Sequence, residues 1–339
     1  MNFDSEDRLS YTAGLFQEEC HMGPAGPIKA ELAAGSRPKP KFRLASSADL
    51  QETYRVYVAA NEELNLRLGR HSDLQKHTLP TRALAVRSNA LRFDPERFWV
   101  ADFEGRIGGF GLATLRRTLW YLAALHVLPE FQGQGIGTEL VRRCLGEFGT
   151  GDGLTLLTTS DSANPVSTGM YLRLGLMPQT AIIQLQGQPR SLGLDGVTLR
   201  QADGPAVQEC FDCVDKTVLG ETRPEDHQCW ASVSSMVPYL VYEGDRVVGY
   251  IYVDREGAIG PAAVERPELL PSTISAALES YAADQSTSVQ IRISSDARET
   301  LSALFSHGIN CITEVRLLLT SHKFGLFDRY LFSGADALF

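Results

Sequence analysis

Residues 120–138, WYLAALHVLPEFQGQGIGT, contain the strongest indication of fold in this chain. The apolar residues 121–127 are typical of a buried strand, and Pro129 ends that strand because proline cannot donate to a sheet ladder. Glycines and glutamines follow, and residues 139–148 then carry apolar side chains at helical spacing. The stretch therefore predicts a strand, a glycine-rich turn and the beginning of a helix.

This arrangement predicts an anion site. The first N–H groups of a helix have no partner inside the helix, and the helix dipole adds partial positive charge there. Gly133, Gly135 and Gly137 allow a tight turn and a close approach of the backbone to a phosphate. A pyrophosphate is the expected occupant, and Gly135 and Gly137 are expected to be the least replaceable residues.

Three phosphate-binding motifs compete for this stretch. A P-loop requires Gly-Lys-Ser/Thr at its end, and the loop contains no lysine. A dinucleotide fingerprint requires glycine where Thr138 stands. Val-x-Pro, three residues and then Gly-x-Gly-Ile-Gly resembles instead the acetyl-CoA loop of the GCN5-related N-acetyltransferase (GNAT) superfamily.

The resemblance implies a binding mode for acetyl-CoA, which would be the co-substrate. The cofactor would lie between strands 121–127 and 154–159, with its pantetheine arm bonded to the first strand and its diphosphate on the loop. The residues implied to contact it in this way are Leu125, His126, Val127, Gln132, Gly133, Gln134, Gly135, Ile136, Gly137 and Thr138.

A second motif of the family matches residues 164–175, NPVSTGMYLRLG. The resemblance implies that Asn164 contacts the CoA arm and that the Tyr171 hydroxyl protonates the departing thiolate. A phenol stays protonated at neutral pH and can donate to a thiolate. The acceptor amine must also lose a proton, and His126 and Asp161 are the candidate bases.

The order of predicted elements agrees with the GNAT fold over about residues 42–186, beginning with a strand at 42–44. Ser47 is expected to cap a helix that ends near residue 61, and a second helix is expected between about residues 71 and 91. Residues 239–250 then parallel residues 99–110, which indicates an internal repeat. The fold class is therefore α/β with an α+β type of mixed sheet: two tandem GNAT-like domains, each a central sheet flanked by helices.

The predicted domains are a tail at 1–40, a catalytic domain at 41–188, a linker at 189–196 and a degenerate domain at 197–339. The second copy reads ERPELLP at residues 265–271, where the phosphate loop would stand. It has no glycine, two prolines that remove donors and two glutamates that would repel a pyrophosphate. This copy is expected to be structural or to close one side of the acceptor site. The aromatic tail beyond residue 324, which ends at Phe339, is expected to pack on the body of the protein.

Composition limits the possible functions. The 339 residues carry a net charge of −9, which argues against nucleic-acid binding because that needs a clustered basic surface. No apolar run is long enough for a membrane span, no signal peptide is evident, and the six cysteines suit a reducing compartment. A cytoplasmic monomer or homodimer is expected. Cys210, Cys213, His227 and Cys229 have no standard zinc spacing, so no metal is predicted.

The sequence therefore predicts an acyl-CoA-dependent N-acyltransferase that transfers acetyl to an amine of a small molecule or peptide by direct attack. Two alternatives stay open. One is a CoA-binding sensor or scaffold without turnover, and the other is a different acyl-CoA reaction on the same fold.

Overall fold

The computed structural model describes residues 39–70, 79–147, 153–204, 206–281 and 288–334. The first half contains six strands, β1 to β6, at Lys41–Leu44, Phe98–Phe103, Arg106–Arg116, Leu119–Val127, Thr155–Asp161 and Met177–Gly187. Its helices, α1 to α4, are Leu50–Arg67, Thr81–Phe93, Ile136–Leu145 and Pro165–Arg173.

The second half follows the same order of elements. Its strands, β7 to β13, are Thr198–Gln201, Met236–Glu243, Arg246–Asp254, Ala258–Val264, Val289–Ser294, Cys311–Thr320 and Tyr330–Phe332. Its helices, α5 to α8, are Val207–Leu219, Pro224–Ser232, Leu269–Glu279 and Arg298–Ser306. The predicted internal repeat is confirmed, since two helices follow the first strand of each half and one helix follows each of its fourth and fifth strands.

The described strands form one continuous sheet in the order β1-β2-β3-β4-β5-β12-β6-β11-β13-β10-β9-β8-β7. The two halves exchange strands at its centre. Strand β12 of the second half pairs with β5, and strand β6 of the first half pairs with β11. The domain bounds 41–188 and 197–339 stay a prediction, because each half completes the sheet of the other.

Helices of the first half cover both faces of the sheet. One face carries α1, whose Val56 packs in a cluster with Phe98, Phe110 and Leu112. On the opposite face, Leu140 of α3 packs in a cluster with Ala101. Each strand of β2 to β4 is therefore buried on both sides, which explains why the sequence there is a nearly continuous apolar run.

The beginning of α1 differs from the prediction by one residue. Ser46, not Ser47, precedes the short 3-10 turn at Ser47–Asp49, and its N–H and hydroxyl both donate to the Asp49 carboxylate, at 2.8 and 2.7 Å. The helix then continues to Arg67 rather than ending near residue 61. The second helix was expected at about residues 71–91. Residues 71–78 lie outside the described residues, and the observed helix α2 spans Thr81–Phe93.

Candidate active site

Strands β4 and β5 run parallel and then separate. They pair only from Leu119 with Thr155 to Leu122 with Thr158. Beyond Leu122, strand β4 continues to Val127 without a partner on that side among the described residues, while β5 pairs with β12 on its other side. The backbone groups of residues 123–127 therefore form an open strand edge inside a wedge, ready to bond an extended ligand.

A β-bulge lies at the point where the wedge opens. Along β3 and β4, Leu112 faces Ala124 and Ala113 faces Leu122, so Ala123 is the extra residue. A bulge interrupts the ladder and re-aims neighbouring groups, and bulges are common beside active sites. Here the bulge turns the open edge of β4 away from the regular ladder that β4 forms with β5 up to Leu122.

The glycine-rich loop follows the open edge. Gly133 and Gly135 have φ of 73° and 78°, values that favour glycine, and Gly135 is the N-cap of α3. Within the described residues, the N–H groups of Gly133, Gln134 and Gly135 make no hydrogen bond to the backbone. The turn therefore has unused backbone donors at a helix N-terminus, the arrangement on which the predicted anion site depends, and the anion site itself stays a prediction.

Gln132 and Gly137 lie at the two ends of the loop. The Gln132 side chain donates to the Val127 carbonyl at 3.0 Å and so ties the loop to the end of β4. At Gly137 the backbone is helical, and a Cβ atom would lie 3.8 Å from Leu125 Cδ2, an ordinary contact. The protein itself therefore leaves room for a methyl group at Gly137, in contrast to the expectation that this glycine is hardly replaceable.

The second motif forms α4, which begins at Pro165. The Asn164 side chain caps it by accepting a hydrogen bond from the Ser167 N–H at 3.3 Å. Tyr171 is buried, and this burial raises the pKa of its phenol to about 12, against an opposing effect of its hydrogen bond with the Thr158 side chain and of the Arg316 charge. Thr158 in turn donates to the Leu122 carbonyl at 2.9 Å, so Tyr171 is connected to the apex of the wedge.

The two candidate bases lie on the α1 side of the sheet. The half-buried His126 ring is 5.0 Å from the Tyr57 ring and 5.4 Å from the Phe110 ring, between centroids. The Asp161 carboxylate accepts from the Ala163 N–H at 2.9 Å and from Arg70 Nη1 at 2.5 Å. Both residues line the same cavity as Tyr171.

That cavity has a volume of about 900 Å³ and joins the loop, the wedge and the central strands. The part of the cavity beyond β5, which we call its floor, is formed by strands β12, β6 and β11. Arg316 of β12 pairs in register with Asp161 of β5, and Gln184 of β6 lies between Glu314 of β12 and Arg292 of β11. All five of these polar residues line the cavity. A cavity of this size suits a cofactor arm together with a small second substrate.

Comparison with known proteins places this geometry in a family. Residues 59–176 match the family model described as the acetyltransferase (GNAT) family. The first half contains a GNAT domain. No curated protein matches the sequence.

Solved structures show that the GNAT fold extends over both halves. A candidate acetyltransferase from Pyrococcus horikoshii is 17% identical, with a TM-score of 0.66 over 88% of this chain and 95% of that one. A GNAT protein from Sphaerobacter thermophilus is 16% identical, with a TM-score of 0.54 over 83% and 94%. A tandem GNAT protein from the clavulanic acid biosynthesis pathway is 14% identical, with a TM-score of 0.52 over 83% and 97%. The predicted fold of two tandem GNAT-like units is therefore confirmed.

In the second GNAT-like unit the corresponding wedge is filled by the chain itself. Strands β10 and β11 pair only at Ala258 with Gln290 and at Ile259 with Ile291. Strand β13 then lies between them and pairs with both, so that Tyr330 and Phe332 are buried. The aromatic tail thus packs on the body as expected, although Phe339 lies outside the described residues. Within the described residues, this wedge has no open edge comparable to that of β4.

Sequence reasoning missed the floor residues Gln184, Arg292, Glu314 and Arg316. The exchange of β6 and β12 brings them to the cavity, and no local pattern encodes that exchange. One signal was nevertheless present. Part of each strand alternates polar with apolar residues, at Gln184 and Gln186 in β6 and at Glu314 and Arg316 in β12, which indicates that one face is not covered by helices there.

The cysteine-rich segment at residues 210–229 of the second unit contains the buried His227 and cysteines that differ in exposure. Both ring nitrogens of His227 are occupied, by the Tyr252 hydroxyl and the Asp215 carboxylate, each at 2.9 Å. Cys213 is exposed, whereas Cys229 is buried. Among the described residues no group of three or more acidic, cysteine or histidine side chains could hold a metal ion.

Every helix in the described part of the chain is too short or too polar to span a bilayer.

Proposed function

We propose that the first half transfers an acetyl group from acetyl-CoA to an amine of a small molecule or peptide. The observation that carries this proposal is the open edge of β4, residues 123–127, which leads directly into a loop with unused N–H donors. A pantetheine arm carries amides that can extend such an edge, and a diphosphate fits the helix N-terminus.

The cofactor residues follow from this placement. The pantetheine arm would bond the backbone of Leu125, His126 and Val127, and the diphosphate would accept from N–H groups between Gln132 and Thr138. Asn164 uses its side-chain oxygen for the α4 cap, and its Nδ2 group makes no hydrogen bond within the described residues. That amide nitrogen can therefore donate to the arm.

The reaction would be a direct displacement. The amine nitrogen forms a bond to the thioester carbonyl carbon, the carbon–sulfur bond then breaks, and the thiolate takes the proton of the Tyr171 hydroxyl. Donors at the bulge near Ala123 would polarise the carbonyl oxygen. The raised pKa of Tyr171, to about 12, keeps the phenol protonated until the thiolate leaves.

The amine proton needs an acceptor, and the two candidates differ in their surroundings. Asp161 is held in an ion pair with Arg70 and by the Ala163 N–H. His126 is half-buried on the α1 side of the wedge. We therefore assign the base role first to His126, because a histidine side chain changes charge in the physiological pH range.

The test compares Tyr171→Phe with the unaltered protein in a thiol-release assay with acetyl-CoA and pooled amines. Loss of a general acid should lower kcat about 10²- to 10⁴-fold, while the affinity for acetyl-CoA stays within about threefold. Tyr242→Phe, a change outside the cavity, is the matched control and should leave kcat unchanged. An unchanged rate in Tyr171→Phe would remove the proposed acid.

Two results would favour the alternatives. Acetyl-CoA binding without thiol release across all amines would indicate a sensor or scaffold, and a changed acyl product in mass spectrometry would indicate a different acyl-CoA reaction. The cytoplasmic location and the monomeric or homodimeric state stay predictions.

A further inference from the structure

The cavity walls carry a charge opposite to that of the whole chain. Among the described residues that line it are five arginines and two carboxylates, and with Glu63, which pairs with Arg67 at 2.6 Å, these residues leave a net of two positive charges, whereas the chain as a whole carries −9. The five arginines are Arg67, Arg70, Arg173, Arg292 and Arg316. A cavity that concentrates positive charge in an acidic protein is suited to anionic ligands.

The cofactor phosphates cannot account for all of this charge. The diphosphate is expected at the loop after β4, and Arg292 stands on β11, four strands away in the order β4-β5-β12-β6-β11. At about 4.8 Å per strand this is roughly 19 Å. Arg292 therefore belongs to another part of the cavity, on the exchanged strands beyond the reactive end of the wedge.

Arg292 is held in a defined position there. Its Nε donates to the Gln184 side-chain oxygen at 2.7 Å, and one terminal nitrogen donates to the Ser333 carbonyl at 3.4 Å. Gln184 lies beside Glu314 in the neighbouring strand, and Glu314 accepts from Arg316 at 3.0 Å. The floor therefore presents a positioned guanidinium at one end and carboxylates, Glu314 and Asp161, nearer the wedge.

We propose that the acceptor carries, besides its amine, a separate anionic group, carboxylate or phosphate, which is bound by Arg292. This inference rests on the proposed acetyl transfer and names the class of its acceptor. The amine would lie at the wedge near Asp161, and the anion would reach towards β11. Because β5 and β11 are three strands apart, roughly 14 Å before side chains are counted, the two groups must be farther apart than in an α-amino acid.

The experiment uses matched pairs of acceptors that differ only in charge. Glycine, 4-aminobutyrate and 6-aminohexanoate are compared with their neutral carboxamides, and 2-aminoethyl phosphate separates a phosphate preference from a carboxylate preference. Binding to the CoA-loaded full chain is measured by calorimetry, and kcat/KM is measured by thiol release. We expect the acids to exceed their amides at least tenfold in both measurements, with the longer acids better than glycine.

Variants then assign the preference to one side chain. Arg292→Gln should lower the acid-to-amide ratio about 10- to 100-fold, since a charge-assisted hydrogen bond is lost, while KM for acetyl-CoA stays unchanged. Arg292→Lys should restore part of the preference because the positive charge is retained. Arg298→Gln, an exposed arginine outside the cavity, is the control, and thermal unfolding verifies that each variant is folded.

The outcomes separate this inference from the proposed function. Arg292-dependent binding of acids without thiol release would support the anion site and refute acetyl transfer. Amides that bind or react as well as the acids, a preference that survives in Arg292→Gln, or no binding of any acid would each overturn the inference.

Discussion

The loop conformation at Gly135 should control cofactor binding, and Gly135→Ala tests this directly. Gly135 has φ of 78°, and a Cβ atom added there would meet nothing within 4 Å. The substitution therefore creates no clash, and its whole effect comes from the backbone. An alanine in this left-handed conformation costs roughly 1–2 kcal/mol.

This strain should appear both in stability and in binding. A loss of 1–2 kcal/mol corresponds to a Tm lower by a few degrees in a protein of this size. If the loop relaxes, the N–H groups that it directs into the cavity rotate away. Loss of one charge-assisted hydrogen bond to a diphosphate, about 1.5–3 kcal/mol, weakens acetyl-CoA binding roughly 10- to 100-fold.

Two matched alanine variants separate the possible causes. Gly137→Ala adds the same methyl group two residues later, where the backbone is helical and the nearest atoms are 3.8 Å away. Its stability should be unchanged or higher, because alanine favours a helix over glycine by up to about 1 kcal/mol. Gly220→Ala introduces the same kind of strain, with φ of 84° and open space, at the end of α5 in the second unit.

Isothermal titration with acetyl-CoA and thermal unfolding of the three variants provide the measurements. We expect only Gly135→Ala to lose affinity, while Gly135→Ala and Gly220→Ala lose similar stability. Equal affinity in Gly135→Ala and the unaltered protein would show that the loop amides do not hold the cofactor. Equal loss of affinity in Gly220→Ala would show that general destabilisation explains the effect.

Three further predictions follow from the same geometry. Calorimetric titration with acetyl-CoA should give about one site per chain, because β13 fills the second wedge; a stoichiometry of two would contradict this assignment. Since burial raises the pKa of Tyr171 to about 12, the phenol remains an acid up to that pH, and kcat should not fall between about pH 8 and 10; a fall that disappears in Tyr171→Phe would show that the phenol titrates there. Asp215→Asn should lower the free energy of unfolding by about 3–5 kcal/mol in urea, because it leaves the buried Arg223 guanidinium without its carboxylate; an effect as small as that of the exposed Asp245→Asn would refute this.

Much of the first unit could be predicted from local sequence. Strand β4 ends at Val127, as the apolar residues 121–127 and Pro129 predicted, and the loop before α3 follows from its glycines. These features depend on backbone preferences that a short window of residues determines. The cap at Ser46 shows the limit of such reasoning, since two neighbouring serines are equally good caps and only the position of Asp49 decides between them.

The acceptor side of the cavity could not be predicted in the same way. Arg292 and Gln184 are more than 100 residues apart and become neighbours only because β6 pairs with β11. A sheet in which the two halves exchange strands would bury the same apolar side chains as a sheet in which they do not. Hydrophobic alternation is therefore compatible with both strand orders. The pairing of strands across the two halves is a long-range property. The expectation that the second copy is structural or closes one side of the acceptor site named no residues there, and it stays a prediction.

On the proposed function, the exchange would make a second unit without a phosphate loop necessary to the first. Strand β12 supplies the partner of β5 along Asp161, and without it the β5 edge would be exposed and the charge of Arg316 would be absent from the surroundings of Tyr171. On the proposed function, the loop and the wedge of the first unit would bind the cofactor with their own elements. The second substrate would contact a floor that neither half can build alone, so acceptor binding, rather than cofactor binding, would depend on both halves.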